Sequence, residues 1–148
     1  MRLLLLELRP SALEETSLQT LFEQYLRPIQ ARRKFALMLA VDDDLQLPSP
    51  VKIALYRIAQ EALNNIDKHA EATEVALRVQ RAADTITLQI EDDGKGFEPT
   101  TTQTTSFGLK IMQERADEIG ATLQISSQPG SGTAIQVIWQ DDKDRLNA

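Results

Sequence analysis

Cysteine is absent, so disulfides, thiolate zinc sites and thiol nucleophiles are excluded. Histidine occurs once, at position 69, which rules out a histidine-rich metal centre. Positive charge is the minority sign: 16 Lys and Arg stand against 22 Asp and Glu, a net charge of −6. That balance is unsuited to a phosphate backbone, and nucleic acid is not an expected partner. Long apolar runs are also missing. None approaches the roughly 20 residues that span a bilayer, so no membrane contact is expected of this domain.

The opening run Leu3-Leu4-Leu5-Leu6-Glu7-Leu8-Arg9-Pro10 imitates a signal peptide but is not one. Its apolar core is too short, Glu7 and Arg9 interrupt it, and no small-residue cleavage site follows. It reads as the last turns of a helix stopped by Pro10. Leucines on more than one face need a neighbour to cover them. Either the helix packs on the domain's own core, or it continues a helix of a longer parent protein.

What is present is enough for one domain with a substantial core in 148 residues. From about Ser11 to Arg32, apolar residues recur at helical spacing: Leu18, Leu21, Phe22, Tyr25, Leu26 and Ile29. Phe35 to Val41 alternates like a strand. Asp42-Asp43-Asp44 reads as a solvated loop, because no EF-hand glycine or closing glutamate follows. Pro48 and Pro50 set the start of a long helix, with Ser49 as its expected cap. Its apolar stripe is Val51, Leu55, Ile58, Ala59, Ala62, Leu63 and Ile66, and it is expected to end near Ala70. Glu74 to Arg81 and Thr85 to Glu91 form a predicted hairpin. The Thr-rich stretch from Phe97 to Ser106 reads as a loop, and a helix follows from about Phe107 to Ile119. Strands are expected over Ala121 to Ser127 and Thr133 to Trp139, with a charged tail from Asp141. This order predicts a two-layer α/β sandwich: a mixed, mostly antiparallel sheet with helices on one face. A doubly wound sheet is disfavoured, since no strand runs straight into a glycine-rich βαβ turn.

Three signals carry chemistry. On the long helix, Glu61, Asn65, Lys68 and His69 share one stripe. A carboxamide oxygen suits Mg²⁺, a lysine neutralises phosphate, and a carboxylate one turn away can take a proton or orient a nucleophile. The ordinary alternative is a solvated face. The second signal is Asp92-Asp93-Gly94-Lys95-Gly96 at a strand end. A carboxylate there can accept from an adenine amino group, and glycines let backbone approach a flat base. The ordinary alternative is an acidic turn. Third, Gly108-Leu109 opens a helix whose free N–H groups suit phosphate, and Gly130-Ser131-Gly132-Thr133 leads into the last strand. A hydroxyl there could support the base-binding carboxylate. Singly these are a helix start and a hairpin turn.

In this order and spacing the chain resembles the histidine-kinase-type ATPase domain, the Bergerat fold shared by gyrase and two-component sensor kinases. Glu61-Ala-Leu-Asn-Asn65-Ile-Asp-Lys68-His69-Ala70 and Gly108-Leu109-x-x-Met112-x-Glu114-Arg115-Ala116 most resemble the catalytic domain of the nitrate/nitrite-sensor type. The resemblance implies Mg²⁺ on Asn65 and phosphate contacts from Lys68 and His69. It implies Glu61 as general base and Asp92 as the reader of adenine. It matches Gly94 and Gly96 to the first glycine box, Gly108 with Leu109 to the second, and Gly132-Thr133 to the last. Residues 1–10 would then be the end of a dimerisation helix with its linker, 11–140 the ATP-binding catalytic domain and 141–148 a tail.

The implied partners are the dimerisation and phosphoacceptor helices of a parent kinase and a response regulator. The implied location is cytoplasmic, with a parent that could be membrane-anchored. No acceptor histidine lies upstream, so the γ-phosphoryl group would go to a histidine outside this chain. The alternatives are a serine kinase of the anti-sigma-factor type, which shares the Glu-x-x-x-Asn pattern, and a non-catalytic nucleotide-binding docking module.

Overall fold

The first helix begins where Ser17 stands in extended geometry and its Oγ accepts from the Thr20 N–H at 3.2 Å. The cap satisfies one of the donors that a helix start leaves open. The computed structural model describes residues 15–42, 45–95 and 103–141. Helix α1 is Leu18–Arg32. The expected start near Ser11 is corrected, because the extended Ser17 separates α1 from whatever precedes it. Residues 1–10, and the tail beyond Asp141, lie outside the described residues.

Strand β1 (Ala36–Val41) follows, then helix α2 (Ser49–Asn65). Pro48, not Ser49, occupies the cap position of α2, and no side chain caps it. The fixed φ of proline pre-sets the first turn instead. Helix α2 runs on without a break into a π-helical turn, Ile66–Ala70. Strands β2 (Glu74–Ala82) and β3 (Thr85–Asp92) form the predicted hairpin around Ala83 and Asp84. Helix α3 is Gln103–Glu118, and strands β4 (Thr122–Ser127) and β5 (Thr133–Gln140) are the last elements among the described residues.

The five strands lie in the order β1-β2-β3-β5-β4. Only β1 and β2 run parallel, with α2 as their crossover, and the other pairs are antiparallel. The expected mixed, mostly antiparallel sheet is thus observed. Alternation settles the faces. Val75, Leu77 and Val79 of β2, Ile86, Leu88 and Ile90 of β3, and Ile135 and Val137 of β5 are all buried. They meet Leu55, Ile58, Ala59 and Leu63 of α2, Phe22 and Leu26 of α1, and Met112 and Ala116 of α3 in one core. Each such aliphatic side chain contributes about 1.5–3 kcal/mol of transfer free energy. The intervening strand positions, such as Thr87, Gln89 and Gln136, are only partly buried and lie on the opposite face. Tyr25 ties α1 to α2 by donating its hydroxyl to the Gln60 carbonyl at 3.3 Å and packing edge-on against Tyr56.

Candidate functional site

The topology brings four chain segments to one end of the sheet. Helix α2 and its π-helical turn end just before β2, whose first residues pair with the last of β3: Val75 lies opposite Asp92. Strand β5 starts across from the same residue, with Thr133 opposite Asp92. Helix α3 closes the group through Gly108, where an added Cβ would fall 2.8 Å from Glu61 Oε1 and 3.3 Å from Asn65 Nδ2. Glu61, Asn65, Asp92, Gly94, Gly108, Gly132 and Thr133 therefore gather at one end. Gly96 lies outside the described residues.

Asp92 continues the register of Ile86, Leu88 and Ile90, so its side chain is on the helix-covered side of the sheet. Burial pushes its carboxyl above the ordinary carboxylate value. The Gly94 N–H, donating to Oδ1 at 2.8 Å, works against that rise, and the nearby Asp93 charge adds to it. A half-buried carboxylate with one backbone donor has acceptor capacity left over. That is what a base-reading group requires.

Gly132 presses on the backbone of this residue, since a Cβ there would lie only 2.1 Å from the Asp92 carbonyl oxygen. The Thr133 hydroxyl, one of the two in this segment that could support Asp92, pairs with Ser127 Oγ at 2.8 Å. The reason is register: Ser127 is the cross-strand partner of Thr133 on β4. The segment is also tied to the end of β3 by the Gly130 N–H, which donates to the Lys95 carbonyl at 2.5 Å.

Two further expectations are corrected. Gly108 does not open its helix, because α3 already begins at Gln103. Its contribution is a missing side chain beside Glu61 and Asn65, not a free N–H at a helix start. The four-residue stripe on α2 is interrupted after Asn65 as well. The π-helical turn widens the coil over Ile66–Ala70, so Lys68 and His69 do not follow in α-helical phase. Lys68 is exposed. His69 lies in this turn, and its side chain falls outside the described residues.

The turn is pinned through Asp67, which accepts from Arg32 Nη2 at 2.7 Å and Arg33 Nε at 3.0 Å. Burial alone would raise the Asp67 carboxyl, and the two guanidinium hydrogen bonds more than offset it, leaving it lowered. Leu109 packs partly buried against the core. A groove of about 480 Å³ at the far end, lined by residues including Ser17, Asp42, Gln46 and Lys52, contains none of these residues.

One contact beside the site carries no signal in the spacing of the motifs. Asp93 holds the α2–β2 connection through Thr73 and Glu74. Its signal was the parity of a strand-end pair: two adjacent carboxylates point to opposite sides.

The histidine kinase-, DNA gyrase B- and HSP90-like ATPase profile matches residues 51–143. The chain belongs to this ATPase family. Among curated relatives, the sensor protein VraS of Staphylococcus haemolyticus is 40% identical to it over 138 residues. The alignment takes in 93% of this chain and 39% of VraS, so the ATPase domain spans about two fifths of that relative. The histidine kinase domain of the blue-light activated kinase EL346 from Erythrobacter litoralis superposes with a TM-score of 0.70 at 20% identity. It covers 88% of this chain and 69% of its own. Full-length ShkA, solved in complex with AMPPNP, gives a TM-score of 0.68 at 19% identity, over 84% of this chain and 30% of its own. These structural likenesses establish the fold of the ATPase domain, and the profile, which matches well over half of the chain, establishes its family. No helix among the described residues is long and apolar enough to cross a membrane.

Gly108→Ala tests the contact between α3 and α2. Alanine favours a helix interior by about 1 kcal/mol, which offsets the displaced end of a flexible Glu61, so stability should change by less than about 1 kcal/mol. ATP affinity should fall about three- to tenfold, roughly 1 kcal/mol, because Glu61 and Asn65 are pushed out of place. Melting curves and ATP titration check both halves. A large loss of stability with unchanged affinity would make Gly108 a packing residue only.

Proposed function

We propose that this domain binds Mg-ATP and passes the γ-phosphoryl group to a histidine on an acceptor helix, as the catalytic part of a two-component sensor histidine kinase. What supports the reading is a pair of close backbone contacts at the same end of the sheet, Gly108 against Glu61 and Asn65, and Gly132 against Asp92. Asp92 accepts from the adenine amino group, beside the backbone of Gly94 and Gly132. Asn65, with the backbone around Gly108 and Leu109, serves the phosphates, and Lys68 and His69 are the further residues assigned to them. Glu61 accepts or orients a proton at the reacting end.

The residues fit a magnesium ion that arrives with its nucleotide. Among the described residues no cluster of three acidic or histidine side chains could hold a metal alone. Asn65 and its neighbour Glu61 offer the one or two oxygens that Mg²⁺ takes alongside phosphate, and the absent side chain at Gly108 leaves room beside them. When bound, the ion neutralises charge on the phosphates. The chain's own part is to hold the base, orient the phosphates and exclude misaligned poses. AMPPNP on ShkA, a domain of the same fold, supports nucleotide as the ligand. The sensor relatives support an acceptor helix and a response regulator as partners, and a parent kinase with this domain on its cytoplasmic side.

The test is γ-labelled ATP mixed with this chain and an acceptor-helix fragment. Acid-labile label on the helix is the expected result. Acid-stable label would favour the serine kinase reading, and nucleotide binding with no transfer would favour a docking module.

A further inference from the structure

Asp92 and Asp93 are adjacent, yet they face opposite ways and do different things. The last ladder pair at this end of the hairpin is Val75 with Asp92, so the β2–β3 ladder stops there. Beyond it, β1 holds the start of β2 from the other side through Ala36, which pairs with Glu74 and donates its N–H to the Thr73 carbonyl at 2.8 Å. Nothing in that pairing reaches the end of β3. Asp93 supplies the next tie. Its Oδ1 accepts from the Thr73 N–H at 2.8 Å and the Glu74 N–H at 2.9 Å. Its Oδ2 accepts from the Thr73 hydroxyl, and its own N–H donates to the Glu74 carbonyl at 3.2 Å. The same hydrogen bonds hold its carboxyl below the ordinary carboxylate value, with the Thr73 hydroxyl the largest contributor. Thr73 and Glu74 are where the chain arrives from the π-helical turn that follows Asn65. Strand ends fray, and a strand end bearing a ligand contact must not. The clasp joins the segment that carries the phosphate-side groups to the strand end that carries the base-side group.

We propose that Asp93 is a positioning residue for the nucleotide: it makes no contact with the ligand and fixes where Asp92 sits relative to the end of α2. The proposal rests on Asp92 being the base contact. It goes beyond that reading in assigning a role to the neighbouring acid, and in attributing that role to hydrogen-bond geometry and not to charge.

Asparagine is the informative substitution. Its single carbonyl oxygen can accept both backbone N–H groups that now reach Oδ1, and its amide can donate to the Thr73 hydroxyl. Alanine can do neither.

The test uses the full chain and its Asp93→Ala, Asp93→Asn and Thr73→Val variants, titrated with ATP, ADP and adenosine, with a melting curve for each. Asp93→Ala should weaken all three ligands by a similar factor, about five- to twentyfold, because the defect lies at the half of the site they share. Asp93→Asn should restore affinity to within about threefold, and Thr73→Val should cost about two- to threefold. Unchanged adenosine affinity in Asp93→Ala overturns the proposal, whatever happens to the melting temperature. Should the alanine variant not fold, unchanged adenosine affinity in Thr73→Val overturns it. Asparagine as damaging as alanine also overturns it, since charge would then be what matters. Asp92→Asn, run alongside, separates the two claims. Retained affinity there removes the base contact itself, whereas loss there with full affinity in Asp93→Ala removes only the clasp.

Discussion

Asp92→Asn is expected to weaken ATP binding about ten- to a hundredfold, the range for losing a hydrogen bond to a charged acceptor in a half-buried site. The melting temperature of the free protein should stay the same or rise. Both follow from one observation: burial raises the Asp92 carboxyl, so ionising it is costly in the free fold. Asparagine removes that cost and keeps an oxygen for the Gly94 N–H. It also turns one acceptor toward the ligand into a donor, which opposes the adenine amino group.

The pH dependence has a definite sign. A carboxyl raised by folding contributes stability below its unfolded value, about 3.9, and loses that contribution as pH rises through the folded value. ATP binding runs the other way. It favours the ionised acceptor, so affinity should fall as pH drops through the raised value, and Asp92→Asn should flatten the profile. Calorimetric titration of ATP at several pH values, paired with thermal melts, reads all of this. ATP affinity in Asp92→Asn within twofold of the parent would remove Asp92 from the site.

Gly132→Ala should give the largest loss of stability, about 2–5 kcal/mol, from adding the cost of a left-handed alanine to the cost of overpacking. The added Cβ would meet the Asp92 carbonyl oxygen at 2.1 Å and its carbon at 3.0 Å, at a φ of 77°. Those atoms are backbone in a paired strand, so they cannot swing aside as a side-chain end would. Relief must come from separating β5 from β3 at Asp92, the proposed base contact, and ATP affinity should drop with stability. Gly130→Ala is the control. It shares the positive φ, at 84°, but its Cβ would meet nothing within 4 Å, so only the conformational cost of about 1–2 kcal/mol applies. Chemical denaturation of the two variants gives the comparison. Equal losses would show that backbone conformation, and not the contact with Asp92, sets the requirement for glycine at 132.

Much of this arrangement is legible in the residues. The apolar stripe from Val51 to Ile66 fell on the core as its spacing required. The alternation of Ile86, Leu88 and Ile90 carries on to Asp92 and puts it on the inner face of the sheet. Other features depend on partners distant in sequence. Ile66-Asp67-Lys68-His69-Ala70 carries no local mark of a π-helical turn, whose pinning arginines come from the end of α1. The Thr-rich residues ahead of Gly108 look like loop because threonine and serine are weak helix formers, yet α3 begins at Gln103. The pairing of Thr133 with Ser127 depends on the β4–β5 register, which no single strand encodes.

The contact of Gly108 with Glu61 joins the α2–α3 pair, and that of Gly132 with Asp92 joins two central strands. All four elements share one hydrophobic core. Nucleotide therefore couples to the global unfolding equilibrium and not to a local loop. A saturating ligand at a hundred times its dissociation constant would add about 2.7 kcal/mol to the whole domain. Amide exchange deep in β3 and β5 would slow along with that at the mouth of the site.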